Sequence, residues 1–147
     1  MVAATTAKSA IASPDDLPGK TIGVLIGTNT VEFVRVYSAA LVAKKLPPLT
    51  VKTYDDIPSM LVELTNANID AVMMPNPIIG GYVAKRPGVF KIIRGLGDHS
   101  FFAVAIRKED TALLDAVNAI RMQAKQDGTL TAIQTKWLGA PSDALPD

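Results

Sequence analysis

Cysteine is absent from the 147-residue chain, and histidine occurs once, as His99. The first absence excludes disulfides and thiolate metal sites, but it leaves the compartment open, since exported proteins can lack cysteine too. The second confines any Ser–His–Asp triad to His99. Nothing marks a nucleophile beside it, so it reads as a loop residue. No pair of histidines or cysteines has metal-ligand spacing, and there is neither a GxGxxG nor a phosphate loop ending in Gly-Lys-Ser. Neither a metal nor a cofactor is expected. No apolar run approaches the ~20 residues of a membrane helix. The net charge is +1 with no basic block, so nothing points to nucleic acid. Residues 1–10 (MVAATTAKSA) lack the apolar core of a signal peptide. That fits either a cytosolic protein or a processed or truncated piece of an exported one.

What is present is ordinary globular material. Hydrophobic residues make up 48% and charged residues 20%, enough for a real core. Residues 2–6 have the small and β-branched character of a strand. Ser13-Pro14 opens a helical turn, which Pro18-Gly19 ends. A strand over 21–26 (TIGVLI) is followed by a helix over 30–45, with Phe33, Val36, Tyr37, Ala40 and Leu41 at helical spacing. Pro47-Pro48 stops it. A strand over 49–53 leads to a helix ending near Asn66, capped by Asp55 or Asp56, with Ile57, Met60, Leu61 and Leu64 as its apolar stripe. Strands over 69–74 and 89–93 flank a helix over 77–85, which Gly80-Gly81 weakens. The pairs Asp15-Asp16 and Asp55-Asp56 stand where helix caps belong, and so read as caps rather than acid/base groups. Met73-Met74 reads as core.

Strands and helices alternate with short connections, which argues for an α/β class, a mostly parallel sheet flanked by helices. Ligands bind such sheets outside the carboxyl ends of the strands. Two loops belong there: Gly27–Thr30 after one strand and Pro75–Pro77 after another. Gly27 permits a sharp turn and a close approach. Asn29 can cap the following helix, with Glu32 at capping-box spacing. The unpaired N–H groups and partial positive charge of the helix start suit an anion. After Gly95 the pattern changes to an apolar strand over 100–106 (SFFAVAI), a helix capped by Asp110 or Thr111 with Leu113, Val117, Ile120 and Ala124 on one face, and a helix over 129–138.

The runs DLPGKTIGVLIGT, LTNANIDAV and FFAVAIRKED-TALLDAVNAIRMQAKQDGTLTAIQTKWLG occur in one order. They resemble the bacterial extracellular solute-binding proteins of family 3, the polar-amino-acid receptors of ABC importers. The resemblance implies a periplasmic-binding-protein-like (type II) lobe over residues 1–98. It implies a returning strand and two helices over 99–139 that complete lobe one, and a loose tail over 140–147. It also implies that most of lobe one has no counterpart here, so that the chain is a truncated fragment, an isolated lobe or a short relative. A homodimer or strand-exchanged oligomer is then expected, through a patch that includes Phe101, Phe102, Leu113 and Val117.

By the same resemblance, Thr28 and Asn29 sit where relatives place two hydroxyl residues that grip a ligand carboxylate. The implied ligand-binding set is Gly27, Thr28, Asn29, Thr30 and Asn76, with no catalytic or metal residues. Family members bind the ligand ammonium through an aspartate whose place Pro75 takes here, with Asn76 next to it. The family's glycine before the Asp70-Ala71 strand is Ala67, and Asn66 or Asn68 is expected to supply the left-handed turn. The implied function is the binding of a small polar solute, a carboxylate or an amino-acid-like ligand, in the periplasm or outside the cell, with an ABC permease as partner. A dehydratase of the same fold would need an acid/base group near the corner. Glu32 alone is close in sequence, and it is assigned to the cap. A sensor-receptor module is the remaining alternative.

Overall fold

The computed structural model describes residues 1–97 and 103–138. It divides into two compact units, Met1–Asp98 and His99–Asp147. In the first unit, strands β1 (Val2–Thr6), β2 (Thr21–Leu25), β3 (Thr50–Tyr54), β4 (Ala71–Met74) and β5 (Phe90–Ile93) form one sheet in the order β3-β2-β4-β1-β5. Helices α1 (Asn29–Ala43), α2 (Ile57–Thr65) and α3 (Asn76–Lys85) connect successive strands. β2 runs parallel to β3 and β4, whereas β1 runs antiparallel to β4 and β5. Four strands therefore point one way, and the reversed β1 alone makes the sheet mixed. Their shared direction brings the ends of β3, β2 and β4 to one edge, side by side.

The side-chain alternation of a strand divides the core between the two faces of the sheet. Ile22, Val24, Ala71 and Met73 pack with Val34 and Leu41 of α1. Val72 and Met74 pack with Met60, Leu61 and Leu64 of α2 and with Ile79 of α3. Gly23 faces α2 so closely that a Cβ there would lie 2.7 Å from Ile69 Cδ1 and 3.0 Å from Met60 Cγ. Methionine at 73 and 74 is core on both faces, as expected.

Helix ends follow local chemistry. Asp56 caps α2, accepting from the Ser59 N–H at 2.8 Å. Ser13 and Asp16 form a capping box around a short 3-10 turn, Pro14–Asp16. Helices α1 and α2 both end with a left-handed residue: Lys45 at φ 61° and Ala67 at φ 59°. After α2, the Asn68 N–H donates to the Glu63 carbonyl at 3.0 Å, and the Ala67 N–H to that of Leu64 at 3.2 Å. That pair of bonds is the Schellman pattern, which sets the left-handed residue between the two asparagines. The expectation that Asn66 or Asn68 would take this role is therefore corrected to Ala67.

In the second unit, α4 (Thr111–Gln126) and α5 (Thr129–Leu138) pack against each other across Gly128. Asp110 caps α4 by accepting from the Leu113 N–H at 3.1 Å. The strand expected over 100–106 is not formed in its described part, since residues 103–106 are irregular. A strand needs a ladder to satisfy its backbone groups, and no described strand pairs with these residues. His99, Phe101, Phe102 and the tail over 140–147 lie outside the described residues. Among the described residues no helix is long and apolar enough to cross a membrane.

Candidate functional site

The corner after β2 is built by its neighbours. The Ile26 N–H donates to the Tyr54 carbonyl at 2.9 Å, tying the end of β2 to the end of β3. Gly27 then turns at φ 72°, and a Cβ on it would meet no atom within 4 Å. Glycine is needed here for its backbone conformation, and the space above it is open. α1 begins at Asn29, with Thr28 in the N-cap position. The Thr28 hydroxyl does not cap the helix. It donates back to the Leu25 carbonyl at 2.8 Å. The expected capping box of Asn29 and Glu32 is absent, because Arg35 takes both Glu32 oxygens, at 2.6 and 2.8 Å. That hydrogen-bonded guanidinium holds the Glu32 carboxyl below the usual range. Glu32 is thus neither a cap nor an acid with the raised pKa that proton donation at neutral pH requires. Asp56, the cap of α2, has no raised pKa either: its carboxyl is lowered first by the Ser59 N–H and then by the Ser59 hydroxyl.

Thr28 and Asn29 are exposed, whereas Thr30 is only 2% exposed. In the first turn of α1 the Val31 N–H donates to the Thr28 carbonyl at 3.3 Å, while the N–H groups of Asn29 and Thr30 precede any intrahelical acceptor. Thr28 and Asn29 can present side chains to a ligand, while Thr30 has its backbone N–H to offer.

The second loop lies next to the first. Ile22 pairs with Ala71 and Gly23 with Val72. The same register puts Leu25 beside Met74, so the chain leaves β4 at Pro75-Asn76 alongside Ile26-Gly27. α3 starts at Asn76, and Pro75 precedes it with no side chain able to cap. The Asn76 Oδ1 is buried without a hydrogen-bond partner. No carboxylate stands in this turn. Sequence reasoning placed these two loops at one sheet edge. It missed that Thr28 and not Asn29 precedes the helix, and that Arg35 claims Glu32, although the i,i+3 spacing of that pair was visible.

Residues 28–140 match the family model of the bacterial extracellular solute-binding proteins, family 3. The chain belongs to that family. It is similar to the L-cystine-binding protein TcyJ of Escherichia coli (strain K12), with 33% identity over 130 residues, covering 88% of this chain and 46% of the relative. A putative ABC transporter arginine-binding protein 2 from the same strain is 27% identical over 129 residues, covering 85% of this chain and 50% of the relative. Among solved structures, substrate-binding domain 2 of Lactococcus lactis GlnP, in an open conformation, superposes with a TM-score of 0.71 at 27% identity. It covers 97% of this chain and 59% of that one. The five-stranded lobe is thus a type II periplasmic-binding-protein lobe. This family 3 chain spans about half the length of the curated relatives it matches. Those relatives are binding proteins and not enzymes, so the dehydratase alternative finds no support among them. The family is by description extracellular.

Proposed function

We propose that this chain forms the second lobe of a solute receptor serving an ABC importer outside the cytoplasm, and that its corner at Gly27–Thr30 grips the carboxylate of a small polar, amino-acid-like solute. The observation that carries the reading is the open first turn of α1 after a left-handed glycine, at the carboxyl edge of a family 3 lobe. Helix N–H groups and the Asn29 side chain converge there on one anion. The Thr28 hydroxyl joins them by turning away from the Leu25 carbonyl.

Residues 99–139 belong, on this reading, to the other lobe. The apolar residues of α4 and α5 fit that role: Leu113, Ile120, Ile133 and Trp137 are each about half exposed or more. In a longer protein the first lobe would cover them, and in this chain by itself a second copy would do so. A clean monomer in sedimentation at high concentration would rule out the second copy.

The carboxylate grip is tested by titrating acetate and glutamate into isotopically labelled chain and following backbone amide shifts. The expected result is saturable movement at Gly27, Thr28, Asn29 and Thr30. Shifts confined to other surfaces would refute it.

A further inference from the structure

The sheet ends on one side at β3, the first strand of the order β3-β2-β4-β1-β5. Its residues pair with β2 in unbroken parallel register, from Thr21↔Thr50 to Leu25↔Tyr54. The Thr50 N–H donates inward to the Lys20 carbonyl at 3.0 Å, and the Tyr54 carbonyl accepts inward from the Ile26 N–H at 2.9 Å. Backbone groups alternate in direction along a strand, so Lys52 also turns its N–H and C=O to β2. Val51 and Thr53 turn theirs outward, and among the described residues nothing bonds to them. Edges of this kind are usually blunted by a proline, a bulge or a covering loop. β3 contains neither proline nor bulge, and Thr50, Val51, Lys52 and Thr53 are all exposed. It is a template for a further strand.

The side chains define which strand fits. Val51 and Thr53 stand in register with Ile22 and Val24, on the face that carries α1. The Ser38 hydroxyl accepts from the Leu49 N–H at 2.9 Å, so the row of α1 that continues to Val42 runs beside the start of β3. Val42, Leu46 and Val51 are exposed apolar residues along this side. Lys52 lies on the opposite face, in register with Gly23. Its amine donates to the Asn68 carbonyl at 3.1 Å and has two further N–H groups to give. From Val36 to Tyr54 the chain carries three lysines, Lys44, Lys45 and Lys52, and no acidic residue. An antiparallel strand bonded to Val51 and Thr53 brings the residue between its two bonded positions closest to Lys52. A second copy of β3 in that register would set Lys52 against Lys52, which repels. A carboxylate in the same place attracts.

We propose that the free edge of β3 is a docking site for an extended acidic segment of a partner protein. The segment joins the sheet antiparallel to β3 through the N–H and C=O groups of Val51 and Thr53, with a carboxylate opposite Lys52 and apolar residues on the α1 face. The proposal does not rest on the carboxylate grip at Gly27–Thr30.

The test uses the intact, isotopically labelled chain and two end-capped peptides, Thr-Val-Glu-Val-Thr and Thr-Val-Lys-Val-Thr. At low salt the glutamate peptide is expected to bind about tenfold more tightly than the lysine peptide, and the ratio should shrink as salt rises. Binding should slow hydrogen exchange at the Val51 and Thr53 amides and leave those of Thr50 and Lys52, which already face β2, unchanged. Lys52→Glu should reverse the preference. Thr53→Pro should abolish binding, because it removes an outward N–H and no inward bond, at an edge position where proline is tolerated. Thermal melts verify that both variants fold. If Thr53→Pro does not, the reversal in Lys52→Glu decides. Equal binding of the two peptides, or slowed exchange on another strand in place of Val51 and Thr53, would overturn the proposal. So would protection of these two amides that grows with chain concentration in the absence of peptide, since the occupant would then be a second copy.

Discussion

Ala67 is an exposed alanine held at φ 59° by two backbone hydrogen bonds at the end of α2. Its Cβ crowds the following carbonyl in that conformation, at a cost of roughly 1–2 kcal/mol. Replacing it with glycine relieves the crowding. The same replacement loosens the unfolded chain and returns about 0.4–1 kcal/mol to that state. The methyl group is exposed, so little packing is lost. The balance for Ala67→Gly is a stabilisation on the order of 0.5–1 kcal/mol. With a urea slope of about 1–3 kcal/mol per molar, the unfolding midpoint should rise by roughly 0.2–1 M with an unchanged slope. Asn68→Gly is the control. Asn68 is not left-handed, so glycine there brings flexibility without relief and should lower the midpoint. A midpoint for Ala67→Gly at or below that of the unaltered chain would refute the reasoning. Equal shifts in the two variants would do so as well.

Gly23→Ala should destabilise the first unit by about 1–3 kcal/mol in the same assay, towards the lower end because Ile69 Cδ1 and Met60 Cγ belong to movable side chains. Gly27→Ala meets no neighbour, so only its φ of 72° opposes it. The expected cost is about 1 kcal/mol, with weakened anion shifts at the corner. Asp56 titrates below its unfolded value because Ser59 donates to its carboxylate. Its contribution is present above the unfolded aspartate pKa of about 3.9 and is lost as pH falls through the lower folded value. Asp56→Asn keeps the acceptor and removes the charge, so the acid-side fall in melting temperature should become shallower. An unchanged slope would show that other carboxylates carry it.

Much of the first unit was legible because its signals are local. Pro58 and Asp56 mark the start of α2, the stripe of Met60, Leu61 and Leu64 marks its buried face, and Pro47-Pro48 closes the preceding helix. The corner was legible to the residue, from a glycine and a polar run after an apolar strand. Its hydrogen bonds were not. Thr28 and Asn29 are both good caps by type, and the choice depends on where the chain enters α1. Glu32 had two partners within reach, and the guanidinium of Arg35 prevailed over the backbone. Residues 103–106, the described part of the strand expected over 100–106, are irregular because apolar, β-branched content registers the tendency but not the partner.

The sequence by itself determined the alternation of elements and the family. These depend on residue type and on spacing along a few turns of chain. Tertiary structure alone decided that β1 runs against its neighbours and that the loops after β2 and β4 emerge side by side. It also decided that Ala67 carries the left-handed turn and that the Asn76 oxygen is buried without a donor. The Ala67 turn depends on where α2 stops, and the others depend on which distant segments share an edge of the sheet; hydrogen bonds across a sheet join residues whose separation in sequence leaves no local trace.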